Sequence, residues 1–168
     1  MSEQWPTGPT GARLVWVRSC LALLAVGEGL PAAWALLWPR HFYDTYPLPG
    51  HPWVAGFPPY NEHLTRDFGA AVLALTVVLG WAACTARRGL VRAAAVSALT
   101  FCVPHLIFHS AHLGHPFGLE EAFQLVSLSV PVAAAVVALL AAGGTTALTA
   151  TPPGHGPVRS PAQEETPG

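Results

Sequence analysis

Four apolar stretches dominate this chain, each close to the roughly 20 residues that a membrane-crossing helix needs. They run from about Leu14 to Trp38, Phe68 to Ala86, Val91 to Leu113 and Ala122 to Ala142. Only 10% of the residues are charged, against the roughly 25% of an ordinary soluble domain. The expected fold is therefore all-α: a four-transmembrane-helix bundle spanning residues 13–142, with a long outer loop between the first and second helices. The Pro/Gly/Ser/Thr-rich stretch at 143–168 and the N-terminal residues 1–12 read as disordered.

Arginine orients the spans. There is no lysine, and all eight basic residues are arginine, a bias that points to a GC-rich, bacterial genome. Arg13, Arg18, Arg87, Arg88, Arg92 and Arg159 fall on one side of the expected membrane, Arg40 and Arg66 on the other. Six against two predicts a bacterial plasma-membrane protein with both termini cytoplasmic and the 39–66 connector outside. The first span has a second reading as a signal peptide, since "AAWA" offers an A-x-A cleavage site. Cleavage there would leave the orientation of the other spans unchanged. Cys20, Cys84 and Cys102 all lie in apolar blocks without CxxC spacing and read as small buried hydrophobes. Nothing basic is clustered in a way that fits nucleic acid. The expected partners are the lipid bilayer and either another membrane protein or a second copy of this chain.

Between Pro39 and Arg66 the connector is crowded with proline and aromatic residues, among them Phe42, Tyr43, Tyr46, Trp53, Phe57 and Tyr60. These rings suit either an aromatic belt at the headgroups or a cap folded over the bundle's outer mouth. The prolines predict a stiff, non-helical segment in either case.

Ionisable residues inside the spans carry the functional signal. In "PHLIFHSAHLGHP", His105, His109 and His112 follow i, i+4, i+7 spacing, which places them on one stripe about 60° wide. Gly114 is expected to end that helix and leave His115 in the turn. Glu120, Gln124 and Ser127 repeat the spacing on the fourth span. A short turn makes these two spans antiparallel neighbours, so their stripes should face each other. The second span opens at Asn61, a good N-cap, with His63 and Asp67 on one face and Glu62 and Arg66 paired at i, i+4. Ala70, Ala71 and Ala74 are expected at a close helix contact. Glu28 lies about 15 Å below the outer end of the first span and His105 about 12 Å below the end of the third, so the two are expected to meet.

A polar side chain at such depth costs about 2.5–3.5 kcal/mol and needs a partner. One reading gives a site for a transition metal, with His63, Asp67, His105, His109, His112 and Glu28 as candidate ligands and Glu120 and Gln124 orienting imidazoles from the facing helix. A haem held between two histidines is a variant of it. A second reading gives a site for a proton or a small molecule, part of a transport element. In a third the protein is a non-catalytic membrane subunit whose polar groups only hold the helices together, for roughly 0.6 kcal/mol per pair. Hydrolase and nucleotide-binding motifs do not occur.

At "FYDTYPLPGHPWVAGFPPYNEHLTRDFGA" and "VPHLIFHSAHL" the chain resembles an uncharacterised family of small four-helix integral membrane proteins of high-GC, actinobacterial-type bacteria, over roughly residues 14 to 142. In layout alone it is also similar to the DoxX-like group, whose four-helix members are associated with membrane redox systems. The resemblance implies the fold and carries over no catalytic residue.

Overall fold

The computed structural model describes residues 8–114 and 117–143. It contains α1 (Ala12–Leu37), α2 (Pro39–Thr45), β1 (Pro47–Leu48), β2 (His51–Pro52), α3 (Glu62–Thr85), α4 (Arg88–Ala111) and α5 (Leu119–Ala141). The expected tail at 143–168 lies outside the described residues except for Gly143, and His115, Arg159 and most of the N-terminus lie outside them too. Gly8 and Pro9 are described: Pro9 is buried, and a Cβ on Gly8 would lie 2.6 Å from the carbonyl oxygen of Ala86 at the α3–α4 turn.

The four long helices form the bundle, and each is long and apolar enough to cross a membrane. α1 packs most extensively on α3, α4 on α5, and α1 also on α5, while α3 and α4 meet along a thinner seam. Side-chain size is distributed inside out compared with a soluble bundle. The interior is largely alanine, including Ala82, Ala94, Ala95, Ala98, Ala135 and Ala138, all fully buried. Leu30, Val77, Trp81, Ile107 and Leu140 lie outermost. Lipid is as apolar as leucine, so large side chains lose nothing by facing it, and small ones let backbones approach. The chain is a multi-pass membrane protein on this pattern.

Local rules set the helix ends. Asn61 caps α3, its side-chain oxygen accepting from the Leu64 N–H at 3.1 Å. Asn61→Ala should cost about 1 kcal/mol, read as a small drop in melting temperature in detergent. Glu62 and Arg66 pair at 2.9 Å. Arg66 also donates to the Leu36 carbonyl at the end of α1, one of the acceptors a helix end leaves without a partner. Close approach of α1 and α3 depends on Gly69, where a Cβ would sit 2.7 Å from both the Ala32 oxygen and the Leu36 nitrogen. The expected contact residues Ala70, Ala71 and Ala74 are exposed instead. α1 is continuous through Ala32–Ala35, and both residues are fully buried in the bundle.

The core is one-sided. Its buried cluster draws on Val17 to Leu24, Leu79, Ala82, Val91 to Ala98 and Ala134 to Ala142. All of these lie in the half of the bundle that ends in the α3–α4 turn. In the other half α1 and α3 still pack through Gly29, Ala32, Ala35, Gly69 and Val72, but Glu28, Cys102, His105 and Ser127 face the space between the helices. The latter are small or polar, and the helices there leave open space.

The connector folds over that space. Contrary to the expectation from its prolines, it begins with a helix: Pro39 stands at the first helical position of α2, where a missing N–H costs nothing and the fixed φ suits the helix. The later prolines form a hairpin, with Pro47 paired to Pro52 and Leu48 to His51. Gly50 makes its turn at φ 87°, a left-handed value that favours glycine.

Candidate functional site

A cavity of about 640 Å³ fills the open half. α1 contributes Leu24, Gly27, Glu28 and Pro31, α3 contributes Leu64, Thr65 and Phe68, and α4 contributes Phe101, Cys102, His105 and His109. Ser127, Leu128 and Pro131 come from α5, and Tyr46, Trp53 and Phe57 form the roof. The connector is thus a cap, held by aromatic contacts to all four spans. Tyr46 meets Trp34 of α1 at 6.1 Å, Phe42 meets Phe68 of α3 at 6.4 Å, Phe57 meets Phe108 of α4 at 5.2 Å, and Trp53 meets Phe123 of α5 at 5.8 Å. The hairpin adds a bond from His51 to Glu120 at 3.2 Å. Both partners are about half exposed, so this tie adds little energy.

The polar groups of the cavity lie along α1 and α4. The Cys102 thiol donates to Glu28 Oε1 at 3.7 Å, whereas the sequence pairs Glu28 with His105. Cys102 sits three residues before His105, on the core side of α4, and so is the nearer donor. His105 stacks on Phe101 at 5.4 Å and meets the His109 ring at 4.7 Å. Gln124 Nε2 donates to His109 Nδ1 at 3.1 Å, so the α4 and α5 stripes do meet at this level. Burial, with a further contribution from Glu28, raises the Tyr46 hydroxyl above the usual phenol range. It therefore stays protonated and available as a donor. The indole Nε1 of Trp53 in the roof is enclosed and has no hydrogen-bond partner among the described residues.

Two prolines open the wall further. Pro31 and Pro131 lie inside α1 and α5. Proline has no N–H, so the carbonyls four residues earlier, those of Gly27 and Ser127, lose their helical donor. Both residues line the cavity.

Several expected ligands lie elsewhere. His63 and Asp67 bond to each other at 3.3 Å, with side chains 87% and 61% exposed, and neither lines the cavity. α4 ends at Ala111, before Gly114, so His112 is the C-cap residue. Its Nδ1 turns back to the Phe108 carbonyl at 2.7 Å, one of the unpaired acceptors of the helix end. Glu120 serves the hairpin's His51 and no α4 imidazole. Cys84 is exposed, unlike Cys20 and Cys102.

Among the described residues no three His, Cys, Asp or Glu side chains converge closely enough to hold an ion. Among the described residues a haem between two spans finds no second histidine on another span inside the cavity, since His105 and His109 share α4 and His63 is exposed. The residue that sequence reasoning missed is Cys102, read there only as a small buried hydrophobe, whereas the roof aromatics Tyr46, Trp53 and Phe57 follow the cap reading of the connector. Cys102, His105 and His109 repeat at i, i+3, i+7, which was the available signal for it. The fold around this site is a four-helix membrane bundle, and no family model, curated protein or solved structure matches the chain.

Proposed function

We propose that this protein binds a small amphipathic molecule within the membrane, in the cavity under the connector cap. One observation carries the reading: a volume of about 640 Å³, walled by apolar and aromatic side chains, has Glu28, Cys102 and His105 grouped on one side. That combination of size, apolar lining and a few convergent polar groups is the usual make-up of a small-molecule site. It favours the small-molecule reading over a metal or haem site, whose donors do not converge among the described residues. It also extends beyond a packing network, because the interhelical side-chain bonds lining the cavity in the described residues, His109–Gln124 and the weak Cys102–Glu28 contact, leave His105 and the second oxygen of Glu28 without a partner.

Native mass spectrometry of protein released from its own membrane tests this. The wild type is expected to carry a stoichiometric organic adduct, and His105→Leu should lose it, and with it the stabilisation by added lipid extract, while still eluting as a single folded species. A wild type without adduct, not stabilised by total lipid extract, would overturn the reading, because a ligand that binds only the folded state must stabilise it.

The orientation proposed here puts the cap outside and both termini in the cytoplasm of a bacterium. Arg13, Arg18, Arg87, Arg88 and Arg92 gather at one end, and Arg18 reaches the Cys84 carbonyl at 3.2 Å. None of these five is in an ion pair among the described residues, whereas Arg40 and Arg66 at the other end are paired with Asp44 and Glu62. The uncompensated positive charge thus lies with the α3–α4 turn, as the positive-inside rule requires of a cytoplasmic face. In a Cys84→Ala background, a cysteine replacing Leu48 should react with an impermeant thiol reagent added to intact cells. One replacing Gly89 should react only after lysis, and the reverse pattern would invert the topology.

A further inference from the structure

We infer that the cavity is entered sideways, from the bilayer through a slot between α1 and α5, and that its ligand is a long-chain amphiphile with an uncharged hydroxyl head. The inference rests on the binding function proposed above and adds the route and the ligand class.

The two sides of the cavity differ. Between α3 and α4 a ring pair closes the wall, Phe68 meeting Phe101 at 6.1 Å, and above it the roof's Phe57 meets Phe108 of α4 at 5.2 Å. Between α1 and α5 the lining is Leu23, Gly27, Ser127 and Val130, with no aromatic among them. Leu23 is 52% exposed and Val130 43% exposed while lining the cavity; Leu64 of α3 and Phe108 of α4 also line it at 66% and 45% exposed, but on that side the Phe68 and Phe101 rings stand between the helices. A Cβ built on Gly27 would meet nothing within 4 Å. The cavity therefore reaches the outer surface of the bundle here, within two membrane-spanning helices. What lies outside a span at this depth is acyl chain, so the slot admits a chain that remains partly in lipid.

The head group follows from the hydrogen-bonding groups left over. The Gly27 and Ser127 carbonyls lack their helical donors, and Glu28 has a thiol, a weak donor, as its one partner among the described residues. These are acceptors. Trp53 Nε1 is a donor without an acceptor. A hydroxyl both donates and accepts, so it can serve both sets. A carboxylate cannot donate, and an ammonium cannot accept.

Protein reconstituted in phosphatidylcholine vesicles can be illuminated with a long-chain alcohol carrying a diazirine in its chain, and the adducts mapped by peptide mass spectrometry. Adducts are expected on the peptides bearing Leu23–Glu28 and Ser127–Pro131. Gly27→Trp should lower them about tenfold, equivalent to roughly 1.4 kcal/mol of lost occupancy, with labelling of the lipid-facing Val77–Trp81 stretch unchanged. Val130→Trp, from the opposite wall, should do the same and serves if Gly27→Trp fails to fold. The matching long-chain acid and amine should label the cavity far less than the alcohol. Wild-type labelling confined to lipid-facing positions would overturn the binding function itself. Cavity labelling that both tryptophan variants leave intact would overturn the slot while leaving the binding function standing. Equal labelling by all three probes would overturn the hydroxyl preference.

Discussion

Replacing Gly69 with valine is expected to abolish the stable bundle. The first carbon added at this position meets Ala32 oxygen and Leu36 nitrogen at 2.7 Å. Both are backbone atoms of α1, so no rotamer change relieves the clash. Either α1 and α3 move apart along their most extensive seam or the chain does not close. Overpacking of this kind costs about 1–3 kcal/mol and occasionally more; a branched side chain against two backbone atoms belongs at the upper end. The seam also positions Glu28 and Pro31, so the cavity wall would be lost with it. Gly80→Ala is the control: it lies on the same helix, and its Cβ would have nothing within 4 Å. It should match or slightly exceed wild-type stability, because alanine is the better helix former. Melting in mild detergent and elution as a single species measure both variants. A Gly69→Val protein that melts with the wild type would show that the α1–α3 approach is looser than described.

Replacing Glu28 with leucine is expected to stabilise the protein and remove its ligand. A polar group enclosed without adequate partners costs about 1–3 kcal/mol, and Glu28 has only the Cys102 thiol among the described residues. Leucine removes that cost and fills part of the cavity. With both proteins compared ligand-free, the melting temperature should rise, the Gly69-dependent seam should be untouched, and the native adduct should be absent from the variant. The two outcomes for stability separate two accounts of the polar groups. If they exist to hold helices together, Glu28→Leu must lower the melting temperature. If they exist to hold a ligand, the fold gains and the function is lost, the trade-off typical of a binding site.

The parts of this architecture that were legible in the sequence are those set over short distances. The four spans read directly from apolar length. The Asn61 cap and the Glu62–Arg66 pair read from i, i+3 and i, i+4 spacing. The meeting of His109 and Gln124 read from a turn too short to allow any arrangement other than antiparallel neighbours. Rotation of a helix about its axis was not legible. His63 and Asp67 form a polar stripe like that of α4, yet they lie in the first turn of α3, where interfacial water competes with the bundle interior, and they are exposed. Which small residue makes a seam depends on the partner's backbone, so Gly69 took the role expected of the alanines beside it. Glu28 pairs with Cys102 because positions three apart on a helix differ by about 4.5 Å in depth and about 60° in direction, a finer distinction than the ends of the apolar stretches allow. The bond between His51 and Glu120 spans 69 positions through a hairpin, and nothing local announces it.

An interior built from alanine can change in only one direction. At those alanine positions, set among the buried Val17, Leu21, Leu79 and Val91, a larger side chain is an intrusion, and the one smaller choice, glycine, loosens the helix that carries it. Ala94, Ala95, Ala98, Ala135 and Ala138 therefore allow the chain almost no room to drift. The half under the cap is different, because residues such as Val54 and Leu128 border a cavity of about 640 Å³ into which a larger side chain can extend. The molecule divides by depth into a rigid end, where substitutions are decided by whether the bundle closes, and a permissive end, where they are decided by what the bundle holds. A lineage of such chains could change its ligand many times over while its lower half stayed almost letter for letter the same.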